Sequence, residues 1–184
     1  MYLEKAGKEN TDVTLKEAFY QAKKRGIKNL IVASTSGETG LKAVNYLNDF
    51  KLNLVVVTHN TGFKEKGKQE FSEELRQKIE KLGGKVYTGT MVLRGLGAAI
   101  RSKAGGYSHE QLIADTLRMF GQGTKVCVEI SSMAADAGLI PQDMVIAVAG
   151  TARGADTAIL IQADSSNRFF DIKILEYLVK PGSF

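Results

Sequence analysis

The sequence predicts an α/β fold built on a parallel sheet covered by helices on both faces. Three observations carry that expectation. The runs at 30–33 (LIVA), 52–58 (LNLVVVT) and 143–149 (DMVIAVA) are apolar without strict alternation, as strands buried on both sides are. Between them lie segments whose apolar residues recur at helical spacing. Glycines such as Gly26 and the Gly83-Gly84 pair close those segments.

Taken in order, residues 13–25 place Leu15, Ala18, Phe19 and Ala22 on one helical face, with Gly26 as the stop. Residues 28–34 form a buried strand, 39–48 a helix and 52–58 a second strand rich in β-branched residues. Leu75, Ile79 and Leu82 mark a helix that ends at Gly83, after which 85–87 is a short strand. A helix follows over 92–103 despite Gly95 and Gly97. Another starts at Ser108, with Gln111 three residues on as a capping-box partner, and runs to Gly121. Residues 124–138 mix strand-like Val126 to Ile130 with a helix-like end, and the spacing of Ile130, Met133, Ala134 and Ala137 decides for helix. After the strand at 143–149, residues 157–163 return as a hairpin partner and 171–179 alternate like an edge strand. No repeat, low-complexity segment or linker divides the chain, so residues 1–184 constitute one domain.

Composition narrows the function classes. With 43% hydrophobic and 24% charged residues, the chain is ordinary globular protein. The apolar runs are far too short to span a bilayer, and no basic-then-apolar leader opens the sequence. One cysteine, Cys127, allows no internal disulfide, which suits a cytoplasmic protein. Two histidines and one cysteine make no transition-metal site. The net charge of +5 comes largely from solvated clusters at 23–25 and 64–68, and no RNA or zinc-finger pattern accompanies it. The expected partner is therefore a small molecule rather than nucleic acid or membrane, with a homo-oligomer left open.

The chemistry concentrates in three loops. ASTSGETG at 33–40 joins a strand to a helix. There Ser34, Thr35, Ser36 and Thr39 offer hydroxyls, Gly37 permits close backbone approach, and a helix start offers amide groups to an anion. The spacing matches neither a Walker loop nor G-x-G-x-x-G. A phosphate cradle and a plain βα turn with Ser and Thr caps both satisfy this stretch. Glu38 opposes a strongly anionic guest unless it points away. AVAGTARGADTAILI at 147–161 leaves the last parallel strand through Gly150, Arg153 and Gly154. THNTGF at 58–63 follows the second strand, with His59 and Asn60 as candidates to hydrogen-bond a ring ligand, Phe63 to stack on it, and Thr58 and Gly62 as further binding residues. In a parallel sheet all three loops share the carboxyl edge, where ligands of such folds sit. Cys127 is expected buried and inert, and Glu129 with Asp136, seven residues apart, as a solvated helical stripe.

These residues resemble the pyruvate kinase C-terminal domain. STSGET at 34–39 resembles that domain's effector phosphate loop, and GLIPQD with VIAVAG resembles the approach to its second effector loop. The resemblance is stronger to stand-alone, mostly archaeal proteins called pyruvate kinase C-terminal domain-like. Their marks here are GKENT at 7–11, THNTGF, KVCVEI, MAADAG and ARGADTA. It implies a three-layer α/β/α sandwich, with a mainly parallel sheet and an antiparallel C-terminal strand.

What the resemblance implies for function follows residue by residue. It implies no pyruvate kinase activity, which belongs to a barrel domain not contained in these residues. Ser34, Thr35, Ser36 and Thr39 would hold a phosphate above the Gly37 backbone. Glu38 and the short loop around Arg153 depart from sugar-bisphosphate binders. FMN, the ligand associated with the stand-alone proteins, is the implied cofactor, with Asn10, Thr11, His59, Phe63, Met133 and Arg153 around its ring or ribityl chain. The competing expectation is a non-enzymatic sensor for a sugar phosphate. A phosphatase or transferase would need a nucleophile that the sequence does not supply.

Overall fold

The computed structural model describes residues 1–184. Seven strands form one sheet in the order β1-β7-β6-β5-β2-β3-β4. They are β1 (Tyr2–Lys5), β2 (Asn29–Ala33), β3 (Asn53–Thr58), β4 (Lys85–Thr88), β5 (Met144–Ala149), β6 (Thr157–Gln162) and β7 (Lys173–Ser183). The helices are α1 (Thr11–Arg25), α2 (Glu38–Val44), α3 (Glu73–Lys81), α4 (Gly95–Ala104), α5 (His109–Arg118) and α6 (Gln122–Asp136). No helix is long and apolar enough to cross a membrane.

Period-two alternation splits the central strands between two cores, as a sheet covered on both sides requires. Leu30, Val32, Leu54, Val56, Ile146 and Val148 face one core with Leu15, Phe19 and Ile79 from α1 and α3. Ile31, Val55, Val57, Val145 and Ala147 face the other with Cys127, Ile130 and Ala134 of α6. The three layers expected from the sequence are present. Pairing is parallel from β5 through β2 and β3 to β4, and antiparallel where β6 meets β5 and β7.

Several local expectations are corrected. The stretch 171–179 is not an edge strand, because β1 pairs in parallel outside it, with Tyr2 opposite Lys180 and Leu3 opposite Pro181. Met1 helps hold that edge through its amino group on the Leu178 carbonyl at 2.7 Å. Four residues with one half-buried side chain leave no periodic trace, so β1 is invisible in the sequence. The helix expected from Val92 begins only at Gly95, because the Leu93 amide donates to Glu129 Oε1 at 2.9 Å and Arg94 is non-helical (φ −140°, ψ −74°). The helix expected over 39–48 tightens into a 3-10 turn at Asn45–Asn48. Ser108 does cap α5 by accepting the Gln111 amide, but the Gln111 side chain bonds Asp115 instead of closing a box. That helix stops at Arg118 rather than Gly121.

The chain winds outward from β2 through β3 to β4, then crosses the other face by α4, α5 and α6 to place β5 on the far side of β2. The winding direction therefore reverses between β2 and β5. In open α/β sheets the crevice beyond the carboxyl ends at such a reversal is where ligands bind.

Candidate functional site

A cavity of about 610 Å³ occupies that crevice. The loop 34–39 leaves β2 on one side, 150–154 leaves β5 beside it, and 58–63 leaves β3. α6, from Gln122 to Met133, forms the opposite wall.

The 34–39 loop is held from within. Ser34 Oγ accepts the amides of Gly37 and Gly40, each at 3.2 Å, and Thr58 Oγ1 donates to the Thr35 carbonyl at 3.2 Å. The Ser36 carbonyl accepts the Ser72 amide at 3.1 Å, tying the loop to the start of α3. Gly37 has φ 106°, and a Cβ there would lie 2.9 Å from the Leu75 side chain, so only glycine fits. The amides of Thr35, Ser36, Glu38 and Thr39 have no acceptor within the protein, and all four residues line the cavity. Such a group of free donors suits an anion.

A buried carboxylate organises the neighbouring loop. Asp156 is fully buried, and its Oδ2 accepts the Gly7 amide at 3.2 Å and the Thr151 amide at 3.0 Å. Thr11 Oγ1 accepts the Ala155 amide at 3.0 Å. Between these ties Ala152 adopts a left-handed conformation (φ 64°), the one non-glycine residue of the chain to do so.

Five cations line the cavity, Lys8, Arg94, Arg118, Lys125 and Arg153, against two carboxylates, Glu38 and Glu129. Lys8 and Arg153 form no ion pair. Arg94 lies over the Phe63 ring with 4.7 Å to its centroid, and Phe63 lies 4.1 Å from the His59 ring. His59 Nδ1 is 3.0 Å from Glu70 Oε2. Arg118 is paired with Asp115 and held by Gln122 at 2.8 Å.

Lys125 and Glu129, one turn apart on α6, form an ion pair with side chains only 4% and 2% exposed. Burial pushes the Lys125 ammonium below its ordinary value, Arg118 and Arg94 add to that, and Glu129 opposes it. The expectation of a solvated Glu129–Asp136 stripe is therefore wrong for Glu129. Both faces of α6 are covered, one by the sheet and one by the 91–95 segment and α5.

Most of the candidates named from sequence do line the cavity: Ser34, Thr35, Ser36, Glu38, Thr39, Thr58, His59, Phe63, Met133, Gly150, Arg153 and Gly154. Gly37 lies behind the loop rather than on its surface. Asn10, Thr11 and Gly62 are not in the wall. Asn10 Nδ2 donates to the Lys5 and Gly7 carbonyls, and Thr11 supports the 150–155 loop from beneath, so both hold backbone rather than ligand. Sequence reasoning missed Lys8, Arg94, Arg118 and the Lys125–Glu129 pair. Of these only the pair left a signal, opposite charges at i,i+4 in a helix whose one other charge is Asp136.

The fold is an open, mainly parallel α/β sheet with its crevice at the winding reversal. The pyruvate kinase alpha/beta domain family matches residues 12–161, and the chain belongs to that family. Among solved structures, a pyruvate kinase from Cryptosporidium parvum is similar at 15% identity, with TM-score 0.45, over 84% of this chain and 23% of its own. The same enzyme in complex with ADP matches at 16% identity and TM-score 0.45, over 84% of this chain and 24% of its own. O-ureido-L-serine synthase matches at 24% identity and TM-score 0.33, over 59% of this chain and 29% of its own. The chain thus spans about a quarter of the length of the pyruvate kinases it matches.

Proposed function

We propose that this is a cytoplasmic protein that binds a phosphate-bearing small molecule at the 34–39 loop, with FMN as the candidate ligand. One observation carries the reading: four acceptor-free amides in residues that line a cavity at the winding reversal of the sheet. Hydroxyls of Ser36 and Thr39 stand beside those amides, and Lys8 and Arg153 bring unpaired positive charge to the same wall. The net positive lining suits a dianionic phosphate.

The far side suits a flat ring. Val126, Ile130 and Met133 of α6 present apolar surface, and Phe63 and His59 present aromatic surface at the 58–63 loop. The volume lies within the range of sites for ligands of this size. FMN, when bound, would supply two-electron chemistry at its ring. The residues of this chain would anchor its phosphate, sandwich the ring and exclude water. The reading assigns them no pyruvate kinase chemistry.

The test is direct. Purified protein titrated with FMN should quench flavin fluorescence at one equivalent per chain. A protein that takes up no FMN sinks the flavin assignment. The second reading, a sensor for a sugar phosphate, is favoured by Lys8, Arg94 and Arg153, three cations of the wall that form no ion pair. Thermal shifts with sugar phosphates and none with FMN would select it.

A further inference from the structure

Lys125 is a buried amine placed in the wall of a cavity, and the phosphate site does not use it. Its side chain is 4% exposed, yet it borders the same space as the 34–39 loop. Glu129 is its immediate partner, and that carboxylate is itself fixed by the Leu93 amide at 2.9 Å. Keeping an ion pair in such a place is costly, and replacement by apolar residues is often neutral or stabilising, so fold stability alone gives little reason to retain it. Arg118 and Arg94 face Lys125 from α5 and from the start of α4; Arg118 is paired with Asp115, whereas Arg94 forms no ion pair. Burial and the two guanidinium groups weaken the hold of the Lys125 amine on its proton, and Glu129 beside it is placed to accept that proton.

We propose that Lys125 captures a phosphorylated aldehyde or ketone as an imine, with Glu129 carrying the proton and the 34–39 loop holding the phosphate. The chemistry closes within the pair. Glu129 takes a proton from the Lys125 ammonium, and the freed lone pair attacks the carbonyl carbon, forming the C–N bond. The carbonyl oxygen becomes the hydroxyl of a carbinolamine, taking up the proton released from nitrogen. Glu129 returns its proton to that hydroxyl, the C–O bond breaks and water leaves. The product is a protonated imine paired with the Glu129 carboxylate. One water is formed per imine and nothing is oxidised or reduced. The proposal rests on the phosphate anchor of the preceding reading but not on flavin, and such a carbonyl compound would compete with FMN for the cavity.

Pyridoxal 5′-phosphate serves as the probe, pyridoxal as its phosphate-free control, and borohydride as the reagent that fixes any imine before peptide mass mapping. The expected result is about one adduct per chain, on Lys125, suppressed by inorganic phosphate. Pyridoxal should need a roughly tenfold or higher concentration for the same labelling. Lys125→Arg keeps the charge and the pairing with Glu129 but cannot form the imine, and it should lose the adduct while unfolding at the wild-type temperature. Adducts spread over surface lysines, with Lys125 unmodified although phosphate and the probe compete, would overturn the imine and leave the phosphate anchor standing. Equal labelling of Lys125 by pyridoxal and its phosphate would instead overturn the phosphate anchor, and with it the ligand class. Undiminished cavity labelling in Lys125→Arg would place the reactive amine elsewhere and overturn the assignment.

Discussion

Glu129 holds Lys125 in an ion pair within α6 while its other oxygen accepts the Leu93 amide, so one carboxylate joins the cavity wall to the segment that precedes α4. Removing the carboxylate alone leaves a buried ammonium and an unpaired amide. Glu129→Leu should therefore lose about 3–5 kcal/mol in urea unfolding. The double variant Lys125→Met/Glu129→Leu should recover most of that loss or exceed wild type, by about 1–4 kcal/mol. A double variant as unstable as the single one would show that the pair itself stabilises the fold.

The same pair fixes a pH dependence. Burial depresses the Lys125 value in the folded state below the ordinary 10.5. Between the depressed value and 10.5 the unfolded chain binds more protons at this position, so stability rises with pH across that window. Measured from about pH 7 to about pH 10, wild type should gain stability relative to Lys125→Met/Glu129→Leu. A relative loss over that range would contradict the assigned direction.

Asp156 is the tie between the chain start and the 150–154 loop. Asp156→Ala would leave the Gly7 and Thr151 amides without their acceptor and should cost roughly 2–4 kcal/mol. Ligand affinity should fall with it, because Lys8 and Arg153 lie on the segments that Asp156 aligns. Chemical unfolding with a parallel binding titration reads both effects, and unchanged stability would remove Asp156 from this role.

Cys127 is fully buried, and burial raises its thiol well above the ordinary 9.0. Its Sγ lies 3.4 Å from the Ala147 carbonyl. Iodoacetamide at neutral pH should leave it unmodified in native protein and alkylate it fully in urea, as mass spectrometry would show. Rapid native labelling would mean that α6 separates from the sheet in solution.

The fold was legible because its signals are local. Leu30 to Ala33, Leu54 to Thr58 and Val145 to Ala149 are buried on both faces and read as strands without reference to anything else. Helical spacing in α6 outweighed the β-branched Val126, Val128 and Ile130, as its burial on several faces explains. The 34–39, 58–63 and 150–154 loops could be placed together because a parallel sheet dictates which ends share an edge. What stayed hidden depends on tertiary contacts. The β1 strand is ordered by β7, and α4 is delayed by the bond from Leu93 to Glu129. Arg94 and Arg118 meet Lys125 only after α5 packs beside α6 and α4 packs on α5. Thr11 and Asn10, expected near a ligand, were drawn instead into supporting backbone turns.

The phosphate anchor is tested most directly by calorimetric titration of FMN and riboflavin into wild-type and Ser36→Glu protein. FMN should bind wild type at one per chain, and riboflavin, which lacks the phosphate, roughly a hundredfold more weakly. In Ser36→Glu the new carboxylate occupies the place of the phosphate, and FMN affinity should fall by roughly a hundredfold or more with the thermal unfolding temperature preserved. FMN affinity undiminished in Ser36→Glu, or matched by riboflavin on wild type, would contradict the account.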